Sequence, residues 1–177
     1  MELKQKGSEA NVGGVNQLMV SMKWTTAADF DLAAAYETKQ SDLGLVYFGE
    51  LGNLNGFPFM QLSGDEGVGD TGGENEETMR ITKLDDMNYV WILCWDYGKV
   101  RNGEPARFKD SDVSLSIVDD RGSTHNVNLD TENMGNVALI ATIDNSNPVG
   151  AKLVNSSKAG TLKGLKNIQQ LIDIING

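Results

Sequence analysis

Apolar and polar residues alternate along most of this chain with a period of two, the pattern of strands that bury one face. Leu18, Val20, Met22 and Trp24 alternate with Gln17, Met19, Ser21 and Lys23. Leu32-Ala33-Ala34-Ala35-Tyr36 has helical propensity, yet its shortness and the flanking Asp29 and Asp31 predict a strand. Further strands are expected over 43–48, 57–62 and 78–84; in the last, Met79 and Ile81 face away from Thr78, Arg80 and Thr82. Tyr89 to Trp95 has no polar alternation, which predicts a central strand. Val113 to Val118 alternates cleanly and leads through Asp119-Asp120-Arg121-Gly122, read as a type I turn closed by glycine, into a strand over 125–129. Segments 137–143 and 151–154 complete the set, and Asn55-Gly56 and Asn102-Gly103 mark turns. About ten strands at this spacing predict an all-β sandwich or barrel. One segment differs. Leu162, Leu165, Ile168, Leu171, Ile172 and Ile175 recur at helical spacing, with Thr161 placed to cap the helix and Gly177 at its end. That stripe is expected to pack on a sheet face. No linker, repeat or low-complexity tract divides the 177 residues, so a single domain over 1–177 is expected.

Between two of the expected strands lies a stretch that cannot be core. Residues Gly64 to Glu77 hold six carboxylates, one amide and five glycines, and no Lys or Arg occurs from Gln40 to Met79. Such carboxylates repel one another, and the glycines let the backbone turn its oxygens toward a common centre. A hard divalent cation would relieve the repulsion; Ca2+ takes oxygen ligands in flexible geometry. A solvated acidic loop is equally compatible with these residue types. An EF-hand is excluded, because from Asp65 the third and fifth positions are Gly67 and Gly69. Gly67-Val68-Gly69-Asp70-Thr71-Gly72 satisfies the dinucleotide fingerprint, but the following Glu74, Glu76 and Glu77 would repel a pyrophosphate. The strands close on either side argue for a tethered loop over a flexible linker.

The formal charge of -10 disfavours nucleic acid and anionic membrane surfaces as direct partners. No apolar run follows the first charged residues and no segment approaches a membrane span, so neither a secretory signal nor membrane insertion is expected. A single cysteine excludes an intramolecular disulfide and fits a reducing cytoplasm. Cys94 sits in the apolar run and reads as an inert core thiol; His125, the only histidine, reads as a packing residue sharing a face with Val127 and Leu129. Lys152, Lys158, Lys163 and Lys166 near the C-terminus read as solvated lysines.

Together the pieces resemble the tellurium-resistance stress-protein family, TerD-like in the broad sense. The likeness begins at Leu3-Lys4-Gln5-Lys6-Gly7, continues through Met22-Lys23-Trp24 and Asp29-Phe30-Asp31-Leu32, and includes the acidic loop, similar to the family's G-D-N-x-T-G-x-G-D-G-D-D-E. It runs through Val113 to Asp119 and ends near Val154. Tyr36-Glu37, Pro58 to Leu62, Gly73-Glu74-Asn75 and Asn136 to Ala141 resemble the TerA-like branch in particular.

The resemblance implies an antiparallel β-sandwich that binds Ca2+, acts in stress or tellurite resistance within a multi-protein assembly, and has no established enzymatic reaction. This chain departs from the family pattern. Ala33 stands where the family has a carboxylate, Gly72 where the loop motif has Asp, Val68 where it has Thr, and Glu66 where it has Asn. The family's two Ca2+ sites are thereby reduced to at most one. The expected ligands are Asp65 and Asp70 from the first half of the loop and Glu74 and Glu76 from the second. Asp31 would approach from a neighbouring loop, and Glu77 would either join them or face solvent. An interaction module that has lost calcium affinity is the alternative. Mg2+-dependent phosphoryl chemistry is disfavoured, since no Lys or Arg lies in the loop to hold a phosphate.

Overall fold

The alternating segments form strands in the computed structural model, which describes residues 2–25, 30–63, 75–104, 108, 112–131 and 135–176. In chain order the elements are β1 (Glu2–Leu3), β2 (Glu9–Asn11), β3 (Leu18–Trp24), β4 (Phe30–Thr38), β5 (Leu43–Val46), β6 (Gly52–Asn53), β7 (Met60–Leu62), β8 (Asn75–Ile81) and β9 (Met87–Asp96). They are followed by α1 (Tyr97–Asn102), β10 (Ser114–Asp119), β11 (Thr124–Asn128), β12 (Val137–Asp144), β13 (Lys152–Gly160) and α2 (Gln169–Asn176). One sheet has the order β1-β11-β10-β3-β8-β7-β6, the other β2-β13-β12-β9-β4-β5. All pairings are antiparallel except β1 with β11.

The alternation seen in the sequence decides what goes inside. Val20, Met22, Met79, Ile81, Leu115 and Ile117 of the first sheet meet Leu32, Ala34, Val90, Ile92 and Ile140 of the second in one core. The opposite face of the second sheet carries its own apolar cluster, with Ala33, Ala35, Leu93, Trp95 and Leu139 under Leu162, Leu171 and Ile175. β9 is therefore buried on both faces, as its unbroken apolar run requires. The alanine-rich segment is strand β4 for the same reason: each of its faces meets a packed layer, and small residues fit there.

Several elements differ from the sequence expectation. The helix does not start at Leu162 but at Gln169. Asn136 holds both backbone groups of Leu162, and Gly164, at φ 76°, donates its N–H to Val100 O at 2.6 Å, so 161–168 follows a non-helical path. The cap is Asn167, whose Oδ1 accepts from Gln170 N at 3.3 Å while Gln170 Oε1 accepts from Asn167 N at 3.2 Å, a reciprocal capping box. The expected strand over 57–62 begins only at Met60, because Phe59 turns at φ 59° and donates to Gly56 O. The expected strand over 78–84 is displaced to Asn75–Ile81, and that over 151–154 continues to Gly160. Helix α1, which the apolar pattern does not mark, is six residues long, capped by Asp96 and ended by Gly103 at φ 69°. Among the described residues no helix is long and apolar enough to cross a membrane.

Candidate functional site

One end of the sandwich collects the chemistry. There β3 ends at Trp24, β4 begins at Phe30, β7 ends at Leu62, β8 begins at Asn75, β9 ends at Asp96 and β10 begins at Ser114. The register aligns them, with Trp24 opposite Asn75, Phe30 opposite Asp96, and Ser114 opposite Lys23. β7 and β8 pair antiparallel, so Ser63 and Asn75, the residues that flank the acidic 64–74 segment in sequence, both lie toward this end. Both are fastened. Ser63 N donates to Thr78 O at 2.9 Å, Thr78 Oγ1 donates to Ser63 Oγ at 2.9 Å, and Asn75 Nδ2 donates to Trp24 O at 3.2 Å. Beneath lies an aromatic floor, with Trp24 and Phe30 centroids 5.7 Å apart and Phe30 stacked on Phe108 at 5.3 Å. Beside it a pocket of about 410 Å³ is lined by Lys23, Thr25, Asn75, Glu76 and Asp112 among others. Asp112 holds Thr25 through its backbone N–H at 2.8 Å and through its hydroxyl.

Of the six expected ligands, Asp65, Asp70 and Glu74 lie outside the described residues. The other three are placed, and alternation sends them apart. Glu76 is exposed on the outer face of the first sheet, opposite Lys23. Glu77 points inward; it is 5% exposed and its Oε1 accepts from Leu32 N at 3.1 Å. The cause is in the topology: β5 stops at Val46, opposite Ala34, so among the described residues no strand of that sheet reaches Leu32 on that side, and Glu77 from the facing sheet takes its N–H. Asp31 lies within β4 rather than on a loop, buried, on the strand face it shares with Ala33 and Ala35. Among the described residues no group of three or more His, Cys, Asp or Glu side chains is placed to hold a metal ion.

The electrostatics of this end are those of crowded acids. Burial pushes the Cys94 thiol well above its ordinary value, and Glu77, Asp31 and Asp96 push it in the same direction, so Cys94 stays a protonated core thiol. Burial also raises the Asp96 carboxyl, against the opposing pull of the Lys99 N–H, the Lys99 ammonium and the Gly98 N–H. Thr25, Asp96 and Asp112 were not anticipated at this end. Asp96 carried a readable signal, an Asp closing a strand just before Tyr-Gly, where a helix cap belongs; Asp112 carried none.

Solved structures share this architecture. One is a homologue of the telluride resistance protein TerD from Streptomyces coelicolor A3(2), with a TM-score of 0.55 at 14% identity, matched over 91% of this chain and 96% of that one. The chain has a TerD-like fold. A protein of unknown function is similar as well, with a TM-score of 0.51 at 14% identity over 82% of this chain and 92% of its own. No protein-family model matches the sequence, and no curated protein matches it. Placement of this TerD-like domain toward the TerA-like branch rests on the sequence resemblance alone.

At the far end of the TerD-like sandwich, His125 is a packing residue as expected. It is 6% exposed, with Nε2 3.2 Å from Asp119 Oδ2. The Asp119-to-Gly122 turn forms as read: Gly122 N donates to Asp119 O at 3.1 Å, and Asp119 Oδ1 accepts from Arg121 N and Ser123 N, both at 3.0 Å.

Proposed function

We propose that this TerD-like chain is a non-enzymatic Ca2+-binding module of a cytoplasmic stress or tellurite-resistance assembly. The observation that carries the reading is the β7–β8 pairing. It brings Ser63 and Asn75, which flank the acidic segment in sequence, to the end of the sandwich where Asp31 and Glu77 are buried. The carboxylates there offer oxygen donors, which suit a hard cation. Asp65, Asp70, Glu74 and Glu76 would hold the ion, with Asp31 and Glu77 behind them. When bound, Ca2+ supplies the positive charge that offsets the repulsion among these carboxylates. The chain's own part is to fasten the segment at Ser63 and Asn75 and to present it as an ordered surface to a partner protein. A net charge of -10 disfavours nucleic acid as a partner, the family resemblance points to other resistance proteins, and no membrane insertion is part of the reading.

One observation favours a second reading. Glu77 is already engaged by Leu32 N and Glu76 faces the opposite way, so the described carboxylates diverge. In that reading the same end is a protein-interaction surface without useful calcium affinity. Calorimetric titration of Ca2+ into the purified, chelator-stripped protein separates the two. A saturable heat with a stoichiometry near one supports the calcium module; no heat at millimolar Ca2+ supports the second.

A further inference from the structure

A different part of the molecule, independent of the calcium reading, is built as an interaction edge. β5 closes one side of the six-stranded sheet, and among the described residues no strand pairs with its outer edge. Proteins blunt such edges with Lys, Pro or bulges, because unpaired backbone groups invite another strand. Here Leu43-Gly44-Leu45-Val46 carries none of these, and its pairing with β4 is regular. The side chains around it are apolar and exposed. Of the seven large hydrophobic residues exposed among the described residues, four cluster on this flank: Leu43 at 40%, Phe48 at 42%, Leu51 at 39% and Phe57 at 55%. On the outer face a groove of about 320 Å³ runs between Leu43, Leu45 and Tyr47 on one wall and Leu165 and Ile168 on the other. On the inner face Phe57 stacks edge-on against Tyr36 at 5.7 Å. An added strand would thus find a seat for both sets of its alternating side chains.

Charge selects the occupant. Exposed Asp42 precedes β5 and exposed Glu50, paired with Tyr47, follows it, while no Lys or Arg occurs from Gln40 to Ser63. Among the described residues lining the groove Lys166 is the one cation, on its far wall. A second copy of this chain would bring the same acids to the same edge. We propose that the β5 edge binds, by strand addition, an extended apolar segment of a partner protein with a basic residue at each end.

The test uses a capped seven-residue peptide of alternating Val and Thr between two terminal Arg residues. Controls carry terminal Glu in place of Arg, or Pro in place of the central Val. Binding is read by fluorescence anisotropy, and amide exchange at Leu43 and Leu45 reports the site. The Arg peptide should bind and slow exchange at both amides. Both control peptides, and the variant Leu43→Lys, should bind at least roughly tenfold more weakly. Leu43 is exposed enough for that variant to fold, which circular dichroism checks. The double variant Asp42→Lys/Glu50→Lys should prefer the Glu peptide. Equal binding of the Arg and Glu peptides, binding indifferent to Leu43→Lys or to Pro, or no binding of the Arg peptide would overturn the proposal. So would a dimer in sedimentation that Leu43→Lys dissociates, since the edge would then belong to a second copy.

Discussion

Asn136 fastens the candidate end of the sandwich to the C-terminal segment, and its removal should be costly. The side chain is fully buried; Nδ2 donates to Leu162 O at 2.7 Å and Glu104 O at 3.0 Å, and Oδ1 accepts from Leu162 N at 2.8 Å. A contact to Lys99 O at 3.4 Å is marginal, and that carbonyl already accepts from Glu104 N. Glu104 is exposed, so its carbonyl would find water. Asn136→Ala therefore strands two backbone groups, the N–H and C=O of the buried Leu162. At about 2 kcal/mol for each buried unsatisfied group, the loss should be about 4 kcal/mol. Asn136→Asp should be no better, because it keeps the acceptor for Leu162 N but turns a carboxylate toward Leu162 O. Urea unfolding followed by tryptophan fluorescence gives the loss as a lowered midpoint at unchanged slope. A loss under about 1 kcal/mol for Asn136→Ala would refute the reasoning.

Other consequences are equally checkable. Gly52 sits at φ 90°, and a Cβ there would lie 2.1 Å from Met60 O, so Gly52→Ala should cost more than about 2 kcal/mol in the same unfolding assay; a near-neutral result would contradict the geometry. Burial alone would raise the Asp119 carboxyl, but the Ser123 N–H, His125 and the Arg121 N–H outweigh it and hold it below its ordinary value. A depressed carboxyl stabilises the fold above the unfolded-state pKa and loses that contribution as pH falls through the folded one. The stability gap between wild type and Asp119→Asn should therefore be full at pH 7 and narrow below about pH 4, and a constant gap down to acid pH would argue against it. On the calcium reading, Ca2+ at about a hundredfold excess over its dissociation constant should stabilise by roughly 2.7 kcal/mol; identical melting curves in millimolar Ca2+ and in chelator would favour the interaction module.

Particular residues show how far the sequence could be read. The period-two alternation of Leu18 to Trp24 and of Val113 to Val118 gave inward faces that the sandwich core confirms, because a strand buried on one side has no other way to write its pattern. The alanine-rich β4 was legible only against propensity, since its two-sided burial is a property of neighbours far along the chain. The helix starts later than its apolar spacing suggests, because Leu162, Leu165 and Ile168 keep a helical spacing without the helix. Asn136, 26 residues away, holds Leu162 out of the helix, and a long-range bond of that kind leaves no local trace. The end of the sandwich was legible as an acidic segment between strands. That Glu76 and Glu77 would part, one to solvent and one to Leu32 N, depended on where β5 stops.

The central claim is that the acidic segment is a calcium site. Its most direct test is the Ca2+ affinity of wild type, Asp65→Ala and Glu37→Ala, titrated calorimetrically in one buffer. Asp65 opens the acidic motif, whereas Glu37 lies in β4 outside it. The account predicts that Asp65→Ala binds far more weakly than the other two while its calcium-free form stays folded, relieved of one of several like charges. Mg2+ should replace Ca2+ poorly, since a glycine-rich segment suits an irregular shell better than a strict octahedron. Equal affinities for all three proteins would contradict the account and move any calcium site away from the acidic segment.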